Sequence, residues 1–219
     1  MDHWINVFAC SLIHQSIHPH WFCEPIHSKK DMLNLTFQPV TKNTWRDFEK
    51  LFGRNGACAG CWCMFWRQTR TEFDKLKGDG NKRAMNKIVD AGEIPGILAY
   101  YNGEPVGWCS VAPREQFSAL ERTRVAKRID DEVVWSVPCF FVHKDFRKHG
   151  VTVQLLKAAI DFVKRGGGKI LEGYPVEPKK ETPPAFAFYG TASAFRQAGF
   201  VECARRSETR PFMRFVIEK

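Results

Sequence analysis

The chain has 219 residues, 44% of them hydrophobic and 26% charged, with a formal net charge of +9. That is chain enough for one sizeable core and ordinary for a globular protein, and no apolar run approaches the ~20 residues a membrane span needs. The charge favours anionic partners in general, so nucleic acid, a membrane surface and a phosphorylated cofactor fit it equally.

Residues 1–33 differ in composition from the rest and are expected to be an N-terminal extension ahead of a domain at 34–219. His3, His14, His18, His20 and His27 lie there with Cys10 and Cys23. Zinc accepts imidazole and thiolate, yet these spacings match no compact ligand pattern, and an appended helix with a loose linker is preferred. The opening "MDHWINVFACSLIHQ" places an acidic residue where a secretory signal is basic, so the protein is expected to be cytoplasmic. Its 8 cysteines then read as reduced, buried thiols rather than a disulfide framework.

Alternation at "LTFQPV" (35–40) predicts a first strand. Thr44 is the expected N-cap of a helix whose apolar face is Trp45, Phe48, Leu51 and Phe52. After the glycine- and cysteine-rich "GRNGACAGCWCMFW", a helical region runs from Thr71 to about Ala91, broken at Gly78-Asp79-Gly80. "IPGILAYYNGEPVGWCSVAP" predicts a hairpin about Asn102-Gly103, the pair a tight turn prefers. A basic helix over "SALERTRVAKRID" and a long buried strand ending at Val142 follow. The apolar positions Leu155, Leu156, Ala159, Ile160 and Val163 predict a helix that ends at Gly166. A short strand, "KILEGYPV", precedes the exposed loop "EPKKETPP". A short helix closed by Gly199 and a final strand pair complete the chain. The strand–helix–strand unit implies parallel neighbours and the hairpin implies antiparallel ones. The expected class is α/β (α+β), a mixed sheet with helices on both faces.

The junction "FVHKDFRKHGVT" is the most informative stretch. A helix N-terminus leaves its first N–H groups without partners and carries partial positive charge. Gly150 lets backbone approach an anion, and Arg147, Lys148 and His149 add charge or donors, which together make a pyrophosphate cradle. A plain basic helix start on a solvated face is the competing reading.

The run V-x-x-x-x-R-x-x-G-x-T, from Val142 through Arg147 and Gly150 to Thr152, resembles the acyl-CoA signature of the GNAT superfamily of N-acetyltransferases, commonly written R/Q-x-x-G-x-G/A. The resemblance covers the element order from about Leu35 to the C-terminus, including "AGF" (198–200) at the end of the last helix. "CWCMFWR" early and "RPFMRF" late resemble a branch whose acceptor is unassigned. The resemblance implies a GNAT-like, mostly antiparallel sheet with a splayed central strand pair. It implies acetyl-CoA as cosubstrate, no metal, and direct attack by a primary amine of a small molecule or peptide. Amides of Lys148, His149, Gly150, Val151 and Thr152, aided by Arg147, would hold the pyrophosphate. Backbone of Phe140, Phe141 and Val142 would pair with the pantetheine arm. Neither a membrane nor nucleic acid is then an expected partner, and a homodimer is compatible. Two departures stand out: Thr152 replaces a glycine or alanine, and the tyrosine frequent four residues before the closing glycine is Phe195.

Acetyl transfer to an amine needs a polarised carbonyl and a proton for the departing thiolate. Tyr189, upstream of Phe195 on the same expected helix, is a replacement donor, with a core tyrosine as its alternative. Glu172, between apolar neighbours, is the candidate base; its alternative is a carboxylate paired with arginine. His143 is a further titratable group beside the cofactor strand. Cys58, Cys61 and Cys63 form C-x-x-C-x-C, but no second pair completes a zinc site. Adjacent Trp62, Met64, Phe65 and Trp66 favour a packed wall instead. The family's segment between the first strand and the hairpin often lines the acceptor pocket, so the resemblance implies that Cys61, Trp62 and Cys63 contact the acceptor. A CoA-binding regulator without turnover and a basic nucleic-acid binder are the competing functions, the latter without a recognised motif.

Overall fold

The computed structural model of the protein describes residues 33–177 and 188–218. The expected extension up to residue 32, and the loop "EPKKETPP" beyond its first residue, lie outside the described residues. The strands are β1 (Thr36–Pro39), β2 (Gly96–Tyr101), β3 (Glu104–Pro113), β4 (Trp135–Val142), β5 (Ile170–Gly173), β6 (Val201–Ser207) and β7 (Arg210–Val216). They form a 7-stranded sheet in the order β1-β2-β3-β4-β5-β7-β6. Every neighbouring pair is antiparallel except β4 and β5, which are parallel.

The β4–β5 parallel pair is joined by α4 (Val151–Arg165). Val151, Leu155, Leu156, Ala159 and Val163 line one stripe of α4 and meet Val137, Phe140, Leu171 and Met213 on the sheet. The short α5 (Ala192–Gln197) packs on the same face, with Phe195 fully buried. On the opposite face, α1 (Trp45–Phe52) and α3 (Asp79–Asp90) bury Phe48, Leu51, Phe52, Met85 and Val89 against Leu98, Tyr100 and Trp108. Each such side chain contributes roughly 1.5–3 kcal/mol when fully buried. Both faces are thus covered, and the sheet's own N–H and C=O groups are met by neighbours almost everywhere. The exception is described below.

Local structure departs from expectation at three places. Thr44 stands at the N-cap position of α1 as expected, but its side chain caps no helix N–H: Oγ1 accepts from Thr41 N–H at 2.9 Å and donates to Pro39 C=O at 2.8 Å, tying the helix start to β1. The helical region after the cysteines is broken as expected into α2 (Arg70–Lys75) and α3, but Asp79 and Gly80 already belong to α3, and α2 is the one with a complete capping box, between Thr69 and Glu72. The expected basic helix "SALERTRVAKRID" is a chain of turns. Its N–H groups reach back three residues, Leu120 to Phe117, Thr123 to Leu120 and Ala126 to Thr123. Carbonyls a helix would use are taken by distant arginines: Arg114 Nη2 bonds Ala126 at 2.6 Å, and Arg206 Nη2 bonds Arg128 at 3.1 Å. Leu120 and Ala126 then anchor this segment over the lower part of the sheet with Phe117, Tyr174 and Phe212.

Candidate functional site

β4 and β5 pair only through Trp135–Leu171, Ser136–Glu172 and Val137–Gly173. Beyond that β4 runs on to Val142, while the chain after β5 turns away and Val176 bridges to Thr191. The parting point has a local cause. Ser110 opposes Cys139 and Ala112 opposes Ser136, so Val137 and Pro138 share one partner residue, Val111. The extra residue is a β-bulge, which bends its strand, and Pro138 has no N–H to offer a neighbour. On the α4 face, the Phe195 ring fills the fork. A Cβ on Gly173 would lie 2.2 Å from that ring, and Phe140 meets it edge-on at 6.0 Å.

Alternation along β4 fixes which groups face the gap. His143 N–H bonds Val106 C=O at 2.9 Å, so Phe141 and Cys139 also turn their polar groups to β3. Phe140 and Val142 turn theirs into the gap. Val142 C=O is taken by Arg147 Nε at 3.0 Å, which leaves its N–H. The expectation for Phe140–Val142 is therefore narrowed: Phe140 offers its N–H and a C=O that already accepts from the Cys139 thiol at 3.8 Å, Val142 offers its N–H, and Phe141 offers neither.

The chain from Arg147 to α4 wraps the mouth of this gap. Lys148 has φ 67° and Gly150 has φ 74°, left-handed turns that aim successive N–H groups to one side. Gln154 N–H is the first to find a helical acceptor, Gly150 C=O at 3.2 Å. Among the described residues, the N–H groups of Lys148, His149, Gly150, Val151, Thr152 and Val153 have no acceptor. His149 Nδ1 is covered and likewise without a partner. A Cβ added at Gly150 would meet nothing within 4 Å, so this cradle is open.

The face of the sheet opposite α4 carries the remaining candidates, and the structure brings most of them together. Cys63 is buried, with φ 54° after Trp62 at φ 43°, in a loop where Ala57 and Ala59 also take positive φ. Such backbone costs about 1–3 kcal/mol per residue and is held only by its surroundings. Trp108 Nε1 donates to Cys63 Sγ at 3.2 Å. The Cys139 thiol, then Trp108, hold the Cys63 pKa below its ordinary value, with buried Arg67 adding its charge. Burial pushes Cys61 up to about 12. Cys139 stands at the fork, directly after Pro138. Cys58, Cys61, Cys63, Cys109, Cys139 and Cys203 are free thiols, and no group of three or more His, Cys, Asp or Glu among the described residues could hold a metal.

Tyr189 lies before α5 rather than on it, separated from Ala192 by Gly190 at φ 73°. It packs with Cys139 and Trp66 on the cysteine face. Burial raises the Tyr189 pKa, and Arg210, 3.9 Å above the ring, only partly opposes this. The phenol therefore keeps its proton at neutral pH. Burial also holds His143 below its ordinary pKa.

Glu172 is elsewhere in chemical character. It is 1% exposed; Oε1 accepts from Arg114 Nη1 and from Tyr174 Oη, both at 2.6 Å, and Oε2 accepts from Arg214 Nε at 2.9 Å. Arg114 also bonds Glu121 and Ala126, and Ser136 bonds Tyr174. Both oxygens of Glu172 are thus occupied by Arg114, Tyr174 and Arg214, which makes it the centre of a buried ion cluster, the arginine-paired alternative to the candidate base. Sequence reasoning missed Cys139, Trp66 and Arg210. Of these only Arg210, in "RPFMRF", carried a visible charge.

Residues 48–191 match the sequence model of the Acetyltransferase (GNAT) family. No curated protein matches the sequence. Among solved structures, an acetyltransferase of the GNAT family from Streptococcus agalactiae 2603 is 12% identical, with 86% of this chain and 99% of that one covered at a TM-score of 0.51. Another, from Listeria monocytogenes 4b F2365, is 10% identical, covering 84% and 96% at a TM-score of 0.51. At such identities the likeness is one of fold.

Proposed function

Because the chain belongs to the GNAT acetyltransferase family, we propose that it moves an acetyl group from acetyl-CoA to a primary amine by direct attack. One observation carries the reading: a row of unpartnered N–H groups from Lys148 to Val153 opens onto a gap between two parallel strands. Unmet donors at a helix start suit a diphosphate, and the gap suits an extended arm that adds to β4 as a strand would. Acetyl-CoA supplies the activated acyl group as a thioester.

The chain's own groups then divide the work. Lys148, His149, Gly150, Val151 and Thr152 hold the diphosphate through backbone N–H, with Arg147 fixing the end of β4. Thr152 is no obstacle, since its contribution is main-chain. Phe140 and Val142 hold the arm and present N–H to the acyl oxygen. Tyr189 retains its proton and gives it to the sulfur as the C–S bond breaks, in place of the phenol that Phe195 lacks, and the proton that the attacking nitrogen sheds returns through water to the phenolate. Cys61, Trp62 and Cys63 wall the acceptor side. Glu172 serves the fold. The cytoplasm, where acetyl-CoA and reduced thiols coexist, is the expected compartment.

Isothermal titration with acetyl-CoA tests the reading: saturable binding at micromolar to low millimolar concentration is expected, and its absence would remove the proposal. Phe195 favours a second reading, a CoA-binding regulator. Release of free thiol across an amine panel separates the two, since a regulator binds acetyl-CoA without releasing thiol.

A further inference from the structure

Arg210 opens β7, three residues before Met213, which pairs with the last residue of β5. It therefore stands past the end of β5, beside the continuing chain at Val176, where Glu177 N–H bonds Thr209 C=O at 2.9 Å. Side chains alternate along a strand, so Arg210, Phe212 and Arg214 share a face. That face is the one with Cys139, Tyr189 and Trp66.

Two atoms of Arg210, Nε and Nη2, are covered from solvent and meet no acceptor at full hydrogen-bond geometry among the described residues, although the guanidinium also lies within reach of the Tyr189 phenol oxygen. They are both donors and they form one edge of the guanidinium. The same edge of Arg205 grips the Glu202 carboxylate, with Nε to Oε1 at 2.7 Å and Nη2 to Oε2 at 2.6 Å. Trp66 Nε1, another donor with no acceptor capacity, is also covered and unpartnered. Trp66 and Arg210 both pack on the Tyr189 ring, at 5.9 Å edge-on and 3.9 Å face-on respectively. Unmet buried polar atoms are rare, and each demands an account. Here they cluster beside the candidate proton donor, and they are donors alone.

We propose that Arg210 and Trp66 form a carboxylate subsite, so that the acceptor is an amine that also carries a carboxylate, as an amino acid does. The planar edge Nε–Nη2 matches two carboxylate oxygens, and the Tyr189 ring holds the guanidinium flat beneath them. The subsite selects the acceptor and leaves the acetyl transfer step unchanged. It rests on the transferase reading above.

The test uses the full-length protein and matched pairs. Free-thiol release is measured with each of the common amino acids and with the corresponding amino-acid amide, alongside titration of acetyl-CoA. In parallel, CoA-saturated protein is titrated with the N-acetyl amino acids and their amides, which probes the subsite whether or not turnover is seen. At least one acid is expected to exceed its amide by roughly tenfold to a hundredfold in kcat/KM and in product affinity. Arg210→Gln should collapse that ratio toward one, and Arg210→Lys should leave an intermediate ratio, with acetyl-CoA affinity reporting an intact fold. Equal response to acids and amides, an equal loss of both in Arg210→Gln, or a stronger response to phosphoethanolamine than to any carboxylate would overturn the subsite. Failure to bind acetyl-CoA would instead overturn the transferase reading itself.

Discussion

Arg214 and Arg210 lie one strand turn apart on β7, face the same way and differ in everything that follows. Arg214 gives Nε to Glu172 and both Nη atoms to Asp130, at 2.5 and 2.8 Å. Arg210 keeps two covered donors unmet. The first is an interior ion cluster whose bonds close on themselves; the second sits past the end of β5. Charge and burial are similar at both, so neither distinguishes structure from site. Completeness of hydrogen bonding does.

The largest effect should come from breaking the closed cluster. Glu172→Ala leaves buried Arg114 without its carboxylate and should cost about 3–5 kcal/mol of unfolding free energy, measured by urea denaturation. Turnover per folded molecule in the milder Glu172→Gln should change little; a collapse of turnover in a well-folded Glu172→Gln protein would return Glu172 to proton transfer.

Next comes the open cradle. Gly150→Asp keeps a residue that tolerates positive φ in an uncrowded position while placing a negative charge among the N–H groups. Acetyl-CoA affinity should fall on the order of a hundredfold, about 2.7 kcal/mol, with the thermal midpoint nearly unmoved. A smaller effect is expected of Tyr189→Phe: kcat lower by roughly tenfold to a hundredfold, with acetyl-CoA affinity retained. Unaltered thiol release would move the proton-donor role elsewhere.

The smallest effect is a pH dependence at the rim of the closed cluster. Arg214 holds Asp130 below its ordinary pKa, and Arg196 and Arg205 do the same for Glu177. The unfolded chain then binds protons more tightly at these positions than the folded one. Their contribution is complete above roughly pH 4.5 and is lost as pH falls through the depressed values. Both groups are exposed, so the slope is shallow and flattens in salt. Asp130→Asn should reduce it in urea titrations between pH 6 and 3, whereas Arg210, with no carboxylate of its own, should contribute nothing to it.

Much of the frame was legible in the residues because it depends on neighbours in sequence. Asn102 and Gly103 both take positive φ at the β2–β3 turn, as that pair prefers. The α4 stripe and Gly150 announced a helix with a bare N-terminus. What failed depended on partners far along the chain. The segment 118–130 has helix-forming composition, but Arg114 and Arg206 claim its carbonyls. Glu172 looked like an isolated carboxylate among apolar residues because its arginines are 58 and 42 positions away. Tyr189 is not on α5, since Gly190 breaks the helix expected to carry it. Aromatic density around Cys63 announced a packed wall, while its strained backbone left no trace in the spacing.

The single surplus residue at Val137–Pro138 also sets a phase. Every side chain of β4 beyond it points where it does because the bulge absorbs that insertion, including Cys139 toward the thiols and Phe140 toward α4. Were Pro138 to take an ordinary pleat instead of sharing a partner with Val137, the two rows would exchange, sending phenylalanine among the cysteines and a cysteine under the helix, whereas excising Pro138 would restore a regular ladder with both rows in place. Two halves of one strand are kept out of step, and the opening between β4 and β5 begins where the beat is missed.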